Sequence, residues 1–177
     1  YAYRVDGPYD PSRGLLFDKS KYLLDPYARA VTGQSVWGSP KLPGSTYHAR
    51  VVEDVFDWGG YRDHRVPFQD MVIYETHVRG FTKHPSSGVK HPGTFEGLLE
   101  KLPYLLELGI NTIELMPIFE FDEMAGARNV NGNQLVDYWG YNTVCFYSPN
   151  TSYTAAVEYN HEGTELKKLV RACNANG

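Results

Sequence analysis

The sequence of 177 residues has few cysteines and no long run of basic side chains, and each shortage argues against a class of protein. Its two cysteines, Cys145 and Cys173, have no second cysteine or histidine at metal-ligand spacing, and nothing indicates a disulfide framework. The longest basic run is Lys167-Lys168, and the net charge is −4. Because there is no positive stripe to neutralise phosphates, we expect no nucleic-acid partner.

The chain also lacks long apolar runs and ligand-binding motifs. No apolar run approaches the roughly 20 residues that a membrane-spanning helix needs, so we expect no membrane partner. The six histidines contain no pair at zinc-motif spacing, and no glycine-rich phosphate loop occurs, so we expect neither a metal nor another cofactor. A composition of 42% hydrophobic and 21% charged residues is typical of an ordered globular chain.

The first fifty residues are rich in turn-forming dipeptides such as Gly7-Pro8 and Asp25-Pro26. Little regular structure should form there. The pattern allows the end of a strand at Tyr1 to Val5 and a short helix, opened by Pro26, within Leu23 to Val31. We interpret this region as an arm or linker.

A strand, a helix and a second strand follow. Met71 to Phe81 favours β-structure and begins with the apolar residues of a buried strand. Thr94 can cap a helix that Gly109 ends, and Pro103 should bend that helix because proline lacks the N–H of one helical hydrogen bond. Ile110 to Pro117 reads as a second buried strand. This βαβ unit predicts a parallel sheet or barrel.

The rest of the chain supplies a long connection and one more helix. Residues 118 to 163 form a link far longer than the about 2 to 6 residues usual for such connections, and long loops of this kind are typically functional. Thr164 to Asn176 predicts a helix. A third strand should follow it, so the sequence indicates a truncated α/β domain.

A resemblance to a known family is carried by four stretches of the chain. They resemble the start of the catalytic barrel in the α-amylase superfamily, glycoside hydrolase family 13, and within it the isoamylase-type or GlgX-type debranching enzymes. The stretches are GPYDPSRGLLFDKSKYLLDPYARAV, VIYETHVRGFTKHPSSGVKHPGTFEGLLEKLPYLLELGINTIELMPIFEF, DYWGYNTVCFYSPNTSY and EGTELKKLVRACNANG.

The resemblance implies a fold and a domain division. Residues 67–177 would be the first βα units of a (β/α)8 TIM barrel, with the long loop between its second strand and second helix, truncated after the amino-terminal part of the barrel. Residues 1–66 would be a linker or arm that follows an amino-terminal β-sandwich domain like a carbohydrate-binding module. The loops that follow barrel strands form the active-site face, so the aromatic segment would lie on that face.

The resemblance also implies an activity. It is hydrolysis of α-1,6 branch linkages by a retaining mechanism, with an α-glucan such as glycogen, starch or limit dextrin as the partner. The family's carboxylates follow strands four, five and seven, so we expect no catalytic residue in this chain and no activity from it alone. Alternatives are a branching enzyme, another α-glucoside hydrolase, or a noncatalytic glucan-binding or regulatory homologue. The expected location is the bacterial cytoplasm, with the plastid stroma as the alternative.

The connection contains six aromatic rings within residues 135–153. The resemblance makes Tyr141 a stacking platform for the sugar at the cleavage point, with Trp139 where amylases commonly have histidine and Tyr138 beside it. A sugar's apolar face can lie on such rings while a phenol hydroxyl bonds to sugar oxygens. The alternative is that these rings only pack the loop onto the domain. For three other rings we predict packing: Phe146, Tyr147 and Tyr153.

Acidic residues near the strands have a simpler interpretation. Glu120, Asp122 and Glu123 follow the second strand, where an acid–base pair is possible and a solvated loop is the prediction. Two further carboxylates fall inside strands predicted to be buried, where a charge must be paired. For these, Glu75 and Glu114, we predict Arg79 as the partner.

Overall fold

The computed structural model describes six stretches of the chain: residues 1–32, 36–39, 47–53, 55–60, 64–156 and 163–177. Part of the predicted arm lies outside these residues, and so does the end of the long connection, including His161 and Glu162.

A parallel strand pair forms the centre of the fold. Strands β3 (Ile73–Thr76) and β4 (Thr112–Leu115) pair in parallel, with Ile73 opposite Thr112 and Thr76 opposite Leu115. The predicted βαβ unit is therefore confirmed. The predicted strand up to Phe81 is wrong in its second half, because helix α1 (Val78–Lys83) begins directly after His77. The His77 ring accepts a hydrogen bond from the Gly80 N–H and so satisfies one of the free amides that every helix start leaves.

The helical part of the unit is divided as Pro103 predicts. Helix α2 (Phe95–Glu100) is capped by Thr94, whose hydroxyl accepts a hydrogen bond from Gly97 N–H at 3.1 Å. Helix α3 (Leu102–Glu107) follows after a break at Lys101 and carries Pro103 in its first turn, where a missing N–H costs little. The predicted bend in the helix is confirmed.

The long connection contains more regular structure than its sequence indicates. Strand β5 (Phe119–Phe121) pairs antiparallel with β8 (Thr143–Pro149), and β6 (Arg128–Val130) forms a hairpin with β7 (Asn133–Leu135). The hairpin turn has positive φ at Asn131 and Gly132, a pairing of turn residues typical of tight hairpins. Register shifts between β5 and β8 break the alternating pattern by which sequence reasoning finds strands. Helix α4 (Thr164–Ala175) follows as predicted.

The arm folds through turns and single bridges. A short hairpin joins β1 (Tyr9–Asp10) to β2 (Leu15–Leu16). The predicted strand at residues 1–5 is wrong, since Tyr3 forms an isolated bridge to Leu23 and the Tyr1 backbone exchanges two hydrogen bonds with Ala49, both within the arm. The predicted helix within residues 23–31 is also wrong, because the Asp25 carboxylate accepts the Tyr27 N–H and holds a turn there.

The core lies between the helices and two residues of the long connection, Phe121 and Tyr153. Its fully or nearly fully buried members are Val78, Phe95, Leu98, Leu105, Phe121, Tyr153 and Leu169. The strand pair is less covered than predicted, since Ile73 remains 48% exposed. The prediction that these strands are buried on both faces is therefore wrong for this chain by itself. No helix in the described residues is long and apolar enough to cross a membrane.

One tight contact in this core is directly testable. A methyl group at Gly97 would lie 2.2 Å from the His91 carbonyl oxygen, which is backbone and cannot rotate aside. We expect Gly97→Ala to lower the free energy of unfolding by about 1 to 3 kcal/mol. Urea unfolding gives this number, and Glu107→Ala at an exposed helical position should change it by less than about 0.5 kcal/mol. Equal midpoints for the two variants would contradict the packing described here.

Candidate functional site

The three rings predicted to contact substrate lie together between β7 and β8. Trp139 and Tyr141 are 61% and 67% exposed, and their rings lie 6.4 Å apart at 60° to each other. Tyr138 is 38% exposed, because one face of its ring is stacked on His77 at 4.4 Å. We call Trp139 and Tyr141 the ring pair. The ring pair presents two aromatic surfaces to solvent, and Tyr138 joins it to the core.

Gly140 holds the ring pair close to the core. Its φ is +82°, and a β-carbon there would lie 2.6 Å from the buried ring of Phe121. Its N–H donates to the Asp137 carboxylate at 3.3 Å. Only glycine fits both the backbone angle and this approach, so Trp139 and Tyr141 stand on either side of a backbone segment pressed onto Phe121.

His77 links the end of β3 to the segment that carries the ring pair. It follows β3, and its Nε2–H donates to the Tyr138 carbonyl oxygen at 2.8 Å. The same nitrogen lies 3.0 Å from the Tyr153 hydroxyl, while Nδ1 accepts the Gly80 N–H at 3.0 Å. A neutral imidazole carrying its proton on Nε2 satisfies the amide and the carbonyl.

Electrostatics favour the same neutral form. Burial lowers the pKa of His77 below its ordinary value; the Tyr138 carbonyl opposes this shift, and the Arg79 charge adds to it. Burial also raises the pKa of the Tyr153 hydroxyl, so that group stays protonated. These two groups therefore act as fixed hydrogen-bonding partners that orient the loop.

Two residues of the site that sequence reasoning missed are His77, described above, and Trp37 of the arm. The Trp37 ring stacks on Tyr153 at 6.0 Å and meets Phe121 and Tyr138 edge-on, each at 5.8 Å. The Arg79 guanidinium lies 4.5 Å from its centre, in cation–π geometry. The signal that the sequence offered is a tryptophan within the turn-rich first fifty residues.

Arg79 was assigned a different role from the sequence. The predicted pairing with Glu75 and Glu114 is wrong: both carboxylates are exposed, and Arg79 extends to the Trp37 ring. The reason is the early start of α1, which turns residues after 77 away from the strand direction.

The acidic residues after β4 were predicted to be solvated, and this is wrong for two of them. Glu120 and Glu123 are fully buried. Glu120 accepts the Thr151 N–H at 2.7 Å, and Glu123 accepts the Gly38 N–H at 2.8 Å. Irregular backbone that is buried needs such acceptors, so these carboxylates hold loops in place. In the described residues, no group of three or more His, Cys, Asp or Glu side chains could hold a metal ion.

The packing prediction for the other rings has a mixed outcome. Tyr153 is fully buried, which confirms its role in the core. Phe146 and Tyr147 each contact one ring, Phe119 at 6.3 Å and Tyr27 at 5.4 Å, but they remain 63% and 57% exposed, so the predicted packing is only partial for them. Both lie on β8, where consecutive residues point to opposite faces and neither face is fully covered.

The chain matches no family model, but it is similar to curated proteins along its whole length. It is 42% identical to the chloroplastic isoamylase 1 of Arabidopsis thaliana, covering 100% of this chain and 24% of that protein. It is 36% identical to the glycogen debranching enzyme of Yersinia enterocolitica, covering 100% and 28%. With the glycogen operon protein GlgX homolog of Mycobacterium bovis the identity is 33%, covering 100% and 27%.

Among solved structures, the chain is similar to type I pullulanase from Bacillus subtilis, determined with maltose. The TM-score is 0.64 at 27% identity, covering 91% of this chain and 23% of that one. These similarities define the class: the chain is a partial α/β domain related to debranching enzymes and pullulanases. Within that class it is a homologue of the isoamylase and GlgX proteins, which confirms the resemblance seen in the sequence. It spans about a quarter of the length of the curated relatives, which come from both plastids and bacteria.

The contact between Gly140 and Phe121 gives a prediction with a matched control. Gly140→Ala and Gly132→Ala both put a side chain at positive φ, but a β-carbon at position 132 meets nothing within 4 Å. We expect backbone strain of about 1 kcal/mol in both variants and a further loss of about 1 to 3 kcal/mol only at position 140. Denaturant unfolding measures the difference. Equal losses would show that Gly140 is not pressed onto the core.

The buried His77 predicts a pH dependence of stability. Because its pKa is lowered in the folded state, the unfolded state binds the proton more readily. Stability should therefore fall as the pH drops through about 6.5, the ordinary histidine value. His77→Gln should flatten this part of the curve, while His64→Gln, at an exposed position, should leave it in place. An unchanged slope in His77→Gln would contradict the buried neutral histidine.

Proposed function

We propose that the protein containing this chain hydrolyses α-1,6 branch linkages in glycogen- or starch-type glucans by a retaining mechanism. The observation that carries the proposal is the similarity of the whole chain to isoamylase and glycogen debranching enzyme. The structural likeness to a pullulanase determined with maltose supports an α-glucan as the ligand.

Within that protein, residues 67–177 form the first βα units of a (β/α)8 barrel. The parallel register of β3 and β4 supports this proposal. The residues after both strands also meet at one edge, since His77 follows β3 and bonds to Tyr138 in the connection after β4. That edge is where barrels build their active sites. Residues 1–66 serve as the linker from a preceding β-sandwich domain.

The ring pair binds a sugar of the glucan by stacking. Trp139 and Tyr141 have the exposure this requires, and Gly140 keeps their backbone in place. Tyr138 has one face covered by His77, so its part in binding is limited to its exposed edge. The nucleophile and the acid come from strands four and five of the barrel, so this chain contributes binding and no catalytic carboxylate. The location we propose is the bacterial cytoplasm or, in a photosynthetic source, the plastid stroma.

Two substitutions in the protein that contains this chain test the role of the ring pair. Trp139→Ala and Tyr141→Ala should each raise KM for a branched glucan about tenfold, because stacking and ring burial contribute of the order of 1.4 kcal/mol. Phe146→Ala removes an equally exposed ring outside the pair and should leave KM within about twofold. Initial rates of reducing-end release measure this. Similar KM values in all three variants would contradict a binding role for the pair.

Product analysis of the unaltered protein tests the reaction itself. Release of linear chains from glycogen, with no cleavage of unbranched amylose, is the expected result. Transfer of chains without a net gain of reducing ends would indicate a branching enzyme. Binding without any cleavage would indicate a noncatalytic homologue.

A further inference from the structure

Two independent paths connect the arm to the ring pair. The first runs through the Trp37 ring, which touches Tyr138 edge-on and is held from its other sides by Tyr153 and Arg79. Tyr138 directly precedes Trp139 in the chain. A shift of the Trp37 ring therefore reaches the ring pair across one contact and one peptide bond.

The second path runs through Glu123. Its carboxylate accepts the N–H of Gly38, the residue after Trp37, and its backbone carbonyl accepts the N–H of Asp137 at 2.9 Å. The Asp137 carboxylate in turn accepts the N–H of Gly140, between the two rings. Because Glu123 is fully buried, the low local dielectric strengthens the hydrogen bonds at the centre of this path.

We propose that Trp37 is a positioning residue for glucan binding: the arm, by inserting Trp37 beside Tyr138, sets the orientation of the Trp139 and Tyr141 rings. The inference rests on the proposed function, since it assigns the arm a part in that same site. Trp37 does not need to touch the sugar. Removing it should weaken glucan binding and leave the chemical step intact, because the catalytic carboxylates are expected elsewhere.

The arm contains a second tryptophan that serves as a matched control. Trp58 packs edge-on against Phe56 at 4.7 Å. The Phe56 ring in turn contacts two cations of α4, Lys167 and Arg171. Trp58 thus helps to fix the arm to the outer helix, through its contact with Phe56. Trp58→Ala should disturb the arm while leaving glucan binding unchanged.

The test measures KM and kcat for a branched glucan in the protein that contains this chain, with binding checked by affinity electrophoresis in glycogen gels. Trp37→Ala should raise KM about tenfold with kcat within about twofold, and Trp58→Ala should change neither by more than about twofold. In a background carrying both Trp139→Ala and Tyr141→Ala, the same Trp37→Ala change should raise KM by less than about twofold, because coupled residues are not additive. Trp37→Phe keeps a ring in place and should recover most of the affinity, and it carries the test if the alanine variant does not fold.

Each result decides the inference. An equal rise in KM with and without the ring pair would show that Trp37 acts by general stability and would overturn the inference while leaving the proposed function standing. Unchanged KM in a folded Trp37→Ala protein, or the same rise in Trp58→Ala, would overturn it in the same way. Failure of the unaltered protein to bind any glucan would instead overturn the proposed function, and this inference with it.

Discussion

The structure of the site depends on one buried side chain, the imidazole of His77. One ring nitrogen caps α1 and the other holds the carbonyl oxygen of Tyr138, so the end of β3 is joined to the connection that follows β4. The bond from the Gly80 N–H requires the neutral ring, because a protonated Nδ1 cannot accept it, and burial favours that form by lowering the pKa of His77. The ring also supplies the surface on which Tyr138 stacks. The loop that carries the exposed rings is thereby tied to a strand far from it in sequence.

Buried carboxylates supply what the irregular backbone lacks. Glu120, Glu123 and Glu165 each accept N–H groups from segments outside the strand ladders, and Glu165 binds the amides of both Ala155 and Ala156. A buried amide without an acceptor costs free energy, and a charged acceptor forms a stronger bond than a neutral one. These glutamates hold the described part of the long connection in place, although no large sheet forms there.

Some rings of the aromatic segment pack in the core, and others are exposed to solvent. Tyr153 is buried in the core and Tyr138 is half covered, whereas Trp139 and Tyr141 face solvent on either side of Gly140. Trp37 enters the same cluster from the arm and is held there by the Arg79 cation. The exposed pair can therefore be rigid without being buried, which suits a surface that must stack on a ligand at low entropic cost.

The sequence by itself determined the βαβ unit, its bend at Pro103, the last helix and the relationship to isoamylase and GlgX proteins, because local periodicity, capping residues and ordered motifs carry that information. It also located the aromatic segment. Only the tertiary structure decided which rings are buried, that Arg79 meets Trp37 rather than a carboxylate, and that Glu120 and Glu123 are internal. Those outcomes depend on contacts between residues far apart in the chain, such as Gly38 with Glu123, 85 positions away, and no local pattern encodes them.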